Sequence, residues 1–174
     1  MVGTGGSGVS FEAFVRNRST HLLRVALLLC GDRGHAEDLL QSALARTARH
    51  WDGIDSPEAY VRAALINGAK NRWRGRRVLE VQLGEADDVA APGGDQERVT
   101  LRQALLTELS RLPHGQRAVL VLRYFEDLSE AETAQALGCS TGTVKSQTAR
   151  ALARLRTTTL HESSAIHDGD RTLK

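Results

Sequence analysis

The chain has 174 residues, room for one or two small domains. Hydrophobic residues make up 41% and aromatic ones only 4%, so its cores must come from Leu, Ala and Val, which favours packed helices over sheets. The formal net charge is only +2, and no segment approaches the ~18 apolar residues of a membrane span, which excludes an integral membrane protein.

Residues 1–10 read as a Gly-rich, disordered leader. They have neither the basic start nor the apolar stretch of a secretory signal, so a cytoplasmic protein with no direct membrane association is expected. Phe11, Phe14, Val15, Leu22, Ala26 and Leu29 recur at helical spacing over 11–29, and GDRG at 31–34 breaks that helix. A second helix is predicted over 35–51, with Ala36, Leu39, Leu40, Ala43, Leu44 and Ala48 facing inward. After WDGIDSP, Ser56 caps a third helix that opens on Pro57 and runs to about residue 77, with Tyr60, Val61, Ala64, Leu65 and Trp73 as its apolar side. Residues 78–97 lose periodicity and gain Gly, Pro and acid, the marks of a flexible linker. Helix resumes over 98–112 and stops at Pro113, and GQRAVLVLRYF at 115–125 reads as a short buried helix. The last residues, 161–174, read as a flexible tail.

The modest net charge conceals a segregation. Residues 1–77 carry 12 basic and 7 acidic side chains, residues 78–97 none and 6, residues 98–160 nine and five, and residues 161–174 two and three. Two basic modules thus flank an acidic connector, and basic modules attract phosphate backbones. Cys30 and Cys139 form no CxxC pair and have no histidine at ligand spacing, so reduced thiols and no metal site are expected.

The sharpest signal is SEAETAQALGCSTGTVKSQTARALARL at 129–155. Ser129 with Glu132 three residues on is a capping box, Gly138 suits a left-handed helix end, and Ser140 caps the next helix. Val144, Thr148, Ala151, Leu152 and Leu155 form that helix's packed side. Thr141, Thr143, Lys145, Ser146, Gln147 and Arg150 occupy the other side. A helix packed on one side and covered with donors on the other suits the major groove, as in a helix-turn-helix.

A second constellation lies at the end of the third helix, where Asn67, Lys70, Asn71, Arg72, Arg74, Arg76 and Arg77 surround Trp73. Basic side chains track phosphates, Asn pairs with adenine edges, and aromatics stack on unpaired bases. The polar loop 52–56 just before this helix has the character to hold an extruded base. One chain with two such modules on a tether implies a bipartite DNA site.

Taken together, these motifs resemble the extracytoplasmic-function, or group 4, sigma factors of bacterial RNA polymerase. The likeness spans about residues 10–158. HAEDLLQSALARTARHW resembles the family's core-binding helix, with Glu37, Asp38, Leu39 and Gln41 on its hallmark run. AYVRAALINGAKNRWRGRR is similar to the helix that reads and opens the minus-10 element, with Asn67 on a position usually Asn. LP-x-x-QR, LRYFEDLS, GTVKS and RALARLR match the region that reads the minus-35 element. The family often has Trp at Tyr60, Asp at Asn71 and an aliphatic residue at Gly68, and a glycine there should loosen the helix by up to ~1 kcal/mol relative to Ala.

The resemblance implies an all-α protein of two small helical domains, a region 2 bundle at 11–77 and a region 4 helix-turn-helix at 98–160, joined by the acidic linker. It implies core RNA polymerase and promoter DNA as partners, and an anti-sigma factor as a further one. Minus-35 contact would fall to Ser140, Thr141, Thr143, Lys145, Ser146, Thr148 and Arg150. Minus-10 contact and strand capture would fall to the third helix. Such a protein needs no cofactor, small-molecule substrate or catalytic residue. A free-standing regulator resembling the output domains of response regulators shares the TVK-type recognition helix and stands as the alternative. An enzyme is disfavoured, because no Gly-rich phosphate loop, GxSxG or HExxH is present.

Overall fold

The structure, a computed structural model, describes residues 9–83 and 96–168, with side chains described over 9–75 and 103–157. The described residues form α1 (Phe11–Cys30), α2 (Arg33–Arg49), α3 (Pro57–Leu83), α4 (Gln96–Ser110), α5 (His114–Leu120), α6 (Glu130–Leu137) and α7 (Thr141–Asp168). A 3-10 turn at Trp51–Gly53 precedes α3, and a π-helical turn at Val121–Phe125 follows α5. The all-α architecture is the one the composition favours. Contacts divide the chain after Ser110 into two compact units.

In the first unit, α1, α2 and α3 pack on one another. Leu22, Val25, Ala26 and Leu29 of α1, Ala36, Leu40 and Ala43 of α2, and Val61, Leu65, Ile66 and Ala69 of α3 are all buried. Thr47 is fully buried on α2, and its hydroxyl donates to the Ala43 carbonyl at 2.8 Å, so the group carries no unmet hydrogen bond. The segment after α2 is held by aromatics. The Trp51 ring lies 5.3 Å from both Phe11 and Phe14, edge-on to the first, and is buried.

Helix boundaries follow local chemistry. Ser10 caps α1 by accepting from the Ala13 N–H at 3.2 Å, and Gly31 ends it with φ 77°. Asp32 then caps α2, its carboxylate accepting from the His35 N–H at 2.8 Å. The second helix therefore starts at Arg33, inside the GDRG break read from sequence, because the cap outweighs the exposed Gly34. That helix ends at Arg49, and Trp51 belongs to the turn that follows.

The third helix runs on to Leu83, six residues beyond the end expected from sequence. VLEVQL contains no breaker, and the first is Gly84. Residues 84–95 of the acidic connector lie outside the described residues, as do residues 1–8 of the leader, and the connector's last two residues, Gln96 and Glu97, already belong to α4. Likewise α7 extends to Asp168 and stops before Gly169, so most of the expected tail is helical; 169–174 lie outside the described residues.

In the second unit, α5 and α6 pack on α7. Val119, Ala134 and Val144 form the buried centre, with Leu137 and Cys139 against it. The single short helix expected over 115–125 widens after Leu120, where the Glu126 N–H reaches the Val121 carbonyl at 3.0 Å. Arg123 closes this corner by donating to the Leu128 carbonyl at 2.5 Å, and Asp127 takes φ 52°. The capping box at α6 is complete: Ser129 Oγ accepts from the Glu132 N–H at 3.2 Å, and the Ser129 N–H donates to the Glu132 carboxylate at 2.8 Å. Gly138, at φ 64°, ends α6, with the Cys139 N–H bonded to the Ala134 carbonyl at 3.0 Å. Ser140 then accepts from the Thr143 N–H at 3.1 Å and starts α7.

Two expectations follow. Ser129→Ala should lower stability by about 1 kcal/mol, read as a drop in the thermal unfolding midpoint of the full chain; an unchanged midpoint would deny the box a stabilising role. Asp32 is held below the usual carboxylate value of 3.8, first by the His35 backbone hydrogen bond, then by the His35 side chain and the positive field of Arg72, against the opposing effect of burial. A carboxyl lowered on folding adds stability above its unfolded pKa, and that stability drains as pH falls through the folded one. Wild-type stability should therefore decline below about pH 4, and Asp32→Asn should flatten that decline in thermal unfolding at stepped pH. An equal acid slope in both proteins would show that the cap is not charge-assisted.

Candidate nucleic-acid interface

On α7, Val144 and Ala151 are fully buried, which turns the opposite side outward. Ser140, Thr141, Thr143, Lys145, Ser146 and Arg150 are all exposed there, as the sequence pattern requires. Their polar groups are ordered by local bonds. The Ser140 and Thr143 hydroxyls lie 2.9 Å apart, and the Ser146 hydroxyl donates to the Thr143 carbonyl at 3.0 Å. Thr148 differs: it is half-buried, and its hydroxyl donates to the Val144 carbonyl at 2.8 Å. It sits where the packed side meets the open one. Gln147, read as open, is half-buried and lies against Gly115 of α5.

A feature absent from the sequence reading is the partner of Lys145. Its Nζ stands 3.6 Å from the Glu130 carboxylate at the start of α6. Both groups are exposed, so the pair contributes little to stability. It nonetheless sets one carboxylate beside the donor row, and only the juxtaposition of α6 and α7 reveals it.

On α3 the predicted cluster divides. Asn67, Asn71 and Arg74 are exposed at spacings of four and three, and so share one side. Arg74 donates to the Asn71 side-chain oxygen at 2.9 Å. Lys70 and Trp73 are half-buried. Arg72 is half-buried too, and its positive charge adds to the lowering of the Asp32 pKa. Arg76 and Arg77 belong to α3, and their side chains lie outside the described residues.

The segment before α3 forms an open hollow of about 740 Å³, bounded by Arg49, His50, Asp52, Ser56 and Tyr60, with buried Trp51 and Ile54 also among its lining residues. The buried Trp51 indole N–H meets no acceptor among the described residues. Sequence reasoning pointed to 52–56 but missed the flanking His50 and Tyr60, which only folding brings together.

On α2, Asp38 and Gln41 are exposed one turn apart, and Glu37 is half-buried with an ion pair to Arg33 at 2.8 Å. Leu39 is half-buried against Gly68 of α3. Cys30 and Cys139 are free thiols, one in each unit. Among the described residues no helix is long and apolar enough to cross a membrane.

Comparison with known proteins gives a consistent answer. The Sigma-70 region 2 model matches residues 8–78, and the Sigma-70 region 4 model matches residues 102–155. The chain is 44% identical over 154 residues to the RNA polymerase sigma-E factor of Streptomyces avermitilis, covering 87% of this chain and 86% of the relative. It is 34% identical over 145 residues to the ECF RNA polymerase sigma factor SigL of Mycobacterium tuberculosis, covering 79% and 81%. The fold is similar to that of the sigma factor RpoE, solved in complex with the anti-sigma factor NepR from Bartonella quintana, with TM-score 0.70, 26% identity and coverage of 84% and 94%. A match to region 2 as well as region 4 sets aside a free-standing helix-turn-helix regulator. The chain belongs to the sigma-70 family as an extracytoplasmic-function sigma factor, a transcription initiation factor rather than an enzyme, which directs promoter recognition by RNA polymerase.

Proposed function

We propose that the two units divide the promoter between them. The first docks on core RNA polymerase through α2, with Glu37, Asp38, Leu39 and Gln41 at the contact, and engages the minus-10 element through α3. Asn67, Asn71 and Arg74 meet bases or sugar-phosphate on the non-template strand, Lys70, Arg72, Arg76 and Arg77 add positive charge, and the hollow before α3 receives an unstacked base. The second unit sets α7 in the major groove at the minus-35 element, with Ser140, Thr141, Thr143, Lys145, Ser146 and Arg150 facing DNA and Thr148 at the edge. The acidic connector stays off the DNA by charge and lies in a basic groove of the polymerase.

The observation that carries this reading is the first bundle itself. One packed core turns Asp38 and Gln41 outward on α2 and the Asn67–Asn71–Arg74 row outward on α3, so a protein surface and a nucleic-acid surface are fixed by the same helices. DNA opening then needs neither cofactor nor small-molecule substrate, since captured bases offset an unstacking cost of a few kcal/mol per step. The work is cytoplasmic, where polymerase and chromosome are, and involves no direct membrane association. An anti-sigma factor is a fitting partner, as the RpoE relative was solved with NepR.

Asp38→Arg and Gln41→Ala should abolish recovery of core polymerase in a pull-down while circular dichroism stays at wild type; recovery of core enzyme would remove α2 from the contact. Lys145→Ala and Arg150→Ala should each lower the slope of log affinity against log salt by about 0.9, measured with holoenzyme on an upstream promoter duplex. Thr148→Val should leave that slope unchanged, because its hydroxyl is already bonded within the helix. A slope unaltered in both charge variants would take these two side chains off the phosphates.

A further inference from the structure

The helix-turn-helix sets an acid among its outward-facing donors. Two carboxylates lie in the first turn of α6. That of Glu132 is turned back on its own helix start, accepting from the Ser129 N–H at 2.8 Å and the Ser129 hydroxyl at 2.6 Å. Glu130 stands outside this capping box and reaches across to α7, its carboxylate 3.6 Å from Lys145 Nζ. The backbone, and not one rotamer, brings the two together. Glu130 lies four residues before buried Ala134, on the same side of α6, and Lys145 directly follows buried Val144. Ala134 and Val144 share one core cluster, and both helix starts are fixed by serine caps. In a helix-turn-helix the second helix enters the major groove while the first crosses the DNA backbone. A helix N-terminus attracts phosphate. Here a carboxylate occupies that end, beside a lysine of the reading helix.

We propose that Glu130 is a specificity-determining residue that acts through Lys145: it sets a penalty on the binding of Lys145 to phosphate and holds the ammonium for an acceptor on a base edge. The proposal rests on the minus-35 reading above and goes beyond it, giving an acidic residue of the first helix a part in discrimination. A lysine alone is a flexible point charge, and a phosphate contact carries no sequence information. With Glu130 beside it, a phosphate must displace a carboxylate to gain the same contact, and the carboxylate repels the strand as well. A base-edge acceptor such as guanine O6 or N7 carries no formal charge. It can take one of the three ammonium protons while Glu130 keeps another. The penalty therefore falls on every duplex and the return only on a matching one. A held lysine also has less rotamer freedom to lose when it meets the matching base.

Holoenzyme assembled with full-length Glu130→Gln tests this on two duplexes. One carries the minus-35 element found upstream of a mapped transcript start, and the other carries that element scrambled. Glutamine keeps the shape of the side chain, and position 130 lies outside the capping box, so circular dichroism and the thermal midpoint should stay at wild type. Affinity for the scrambled duplex should rise. The ratio of matched to scrambled affinity should fall about fivefold, the scale of ordering one long side chain. In a Lys145→Ala chain the same Glu130→Gln change should leave the ratio alone, because the strand repulsion it removes is common to both duplexes.

A ratio unchanged or raised by Glu130→Gln with Lys145 present would overturn the proposal. An equal fall with Lys145 present and absent would overturn it too, since the effect would then bypass the lysine. The minus-35 reading has its own arm. If Lys145→Ala leaves matched affinity and its salt slope untouched, that reading loses this lysine and the proposal falls with it. If Lys145→Ala weakens matched binding while Glu130→Gln leaves the ratio at wild type, the proposal alone falls.

Discussion

Close helix approach is the constraint on which the first unit depends. With few aromatic residues to fill space, its core relies on Ala26, Ala36, Ala43 and Ala69 at helix contacts, each almost fully buried. Small residues bring helix axes together, and at short separation side chains on one helix must fit between those of the next. Such packing leaves little freedom to rotate or slide. The orientation of every outward residue is then fixed by what its neighbours bury: Asp38 faces out because Ala36 and Leu40 face in, and Asn67 faces out because Leu65, Ile66 and Ala69 do not. Where larger residues are used, at Phe11, Phe14 and Trp51, they hold the connection into α3 rather than a helix crossing.

Polar partners beside the cationic rows add a second level of order. Glu130 approaches Lys145, and Asn71 accepts from Arg74. None of these contacts is a large source of stability at an exposed site. Their effect is on the side chains themselves, which would otherwise sample many rotamers and lose that freedom on binding. On the reading proposed above, a nucleic acid would displace or share these partners. That favours a phosphate or base edge placed where the donor already points, and it weakens attraction to polyanions in general.

Much of this is legible in the sequence, and the parts that are not share a cause. Ser129, Gly138 and Ser140 announce the helix-turn-helix because capping and left-handed turns are local chemistry, decided within four residues. The long apolar periodicities place α1, α2 and α3 for the same reason. Helix ends are misplaced where charge is weighed above breakers: composition starts the acidic connector at Val78, but nothing in VLEVQL stops a helix before Gly84. Thr148 satisfies both the packed and the open pattern on α7, and only its bond to the Val144 carbonyl places it between them. The Glu130 partner of Lys145 and the Phe11 and Phe14 rings against Trp51 join residues more than a dozen positions apart, and no helix-length window contains both sides of such a contact.

The absence of catalytic chemistry from the role shifts the burden to binding free energy, and that makes rigidity part of the mechanism. Unstacking a base step costs a few kcal/mol, and stacking one freed base on an aromatic surface returns about 1–3 kcal/mol. These terms nearly cancel, so a small loss from either side decides whether strands separate. A hollow that had to order itself on binding would forfeit its gain to conformational entropy. The one before α3 is lined by Trp51 and Ile54, both buried, and Trp51 is braced by two phenylalanines, so its shape exists before any base arrives. On the reading proposed above, the same core that turns α2 towards the polymerase thereby pre-forms the place where a separated strand is held.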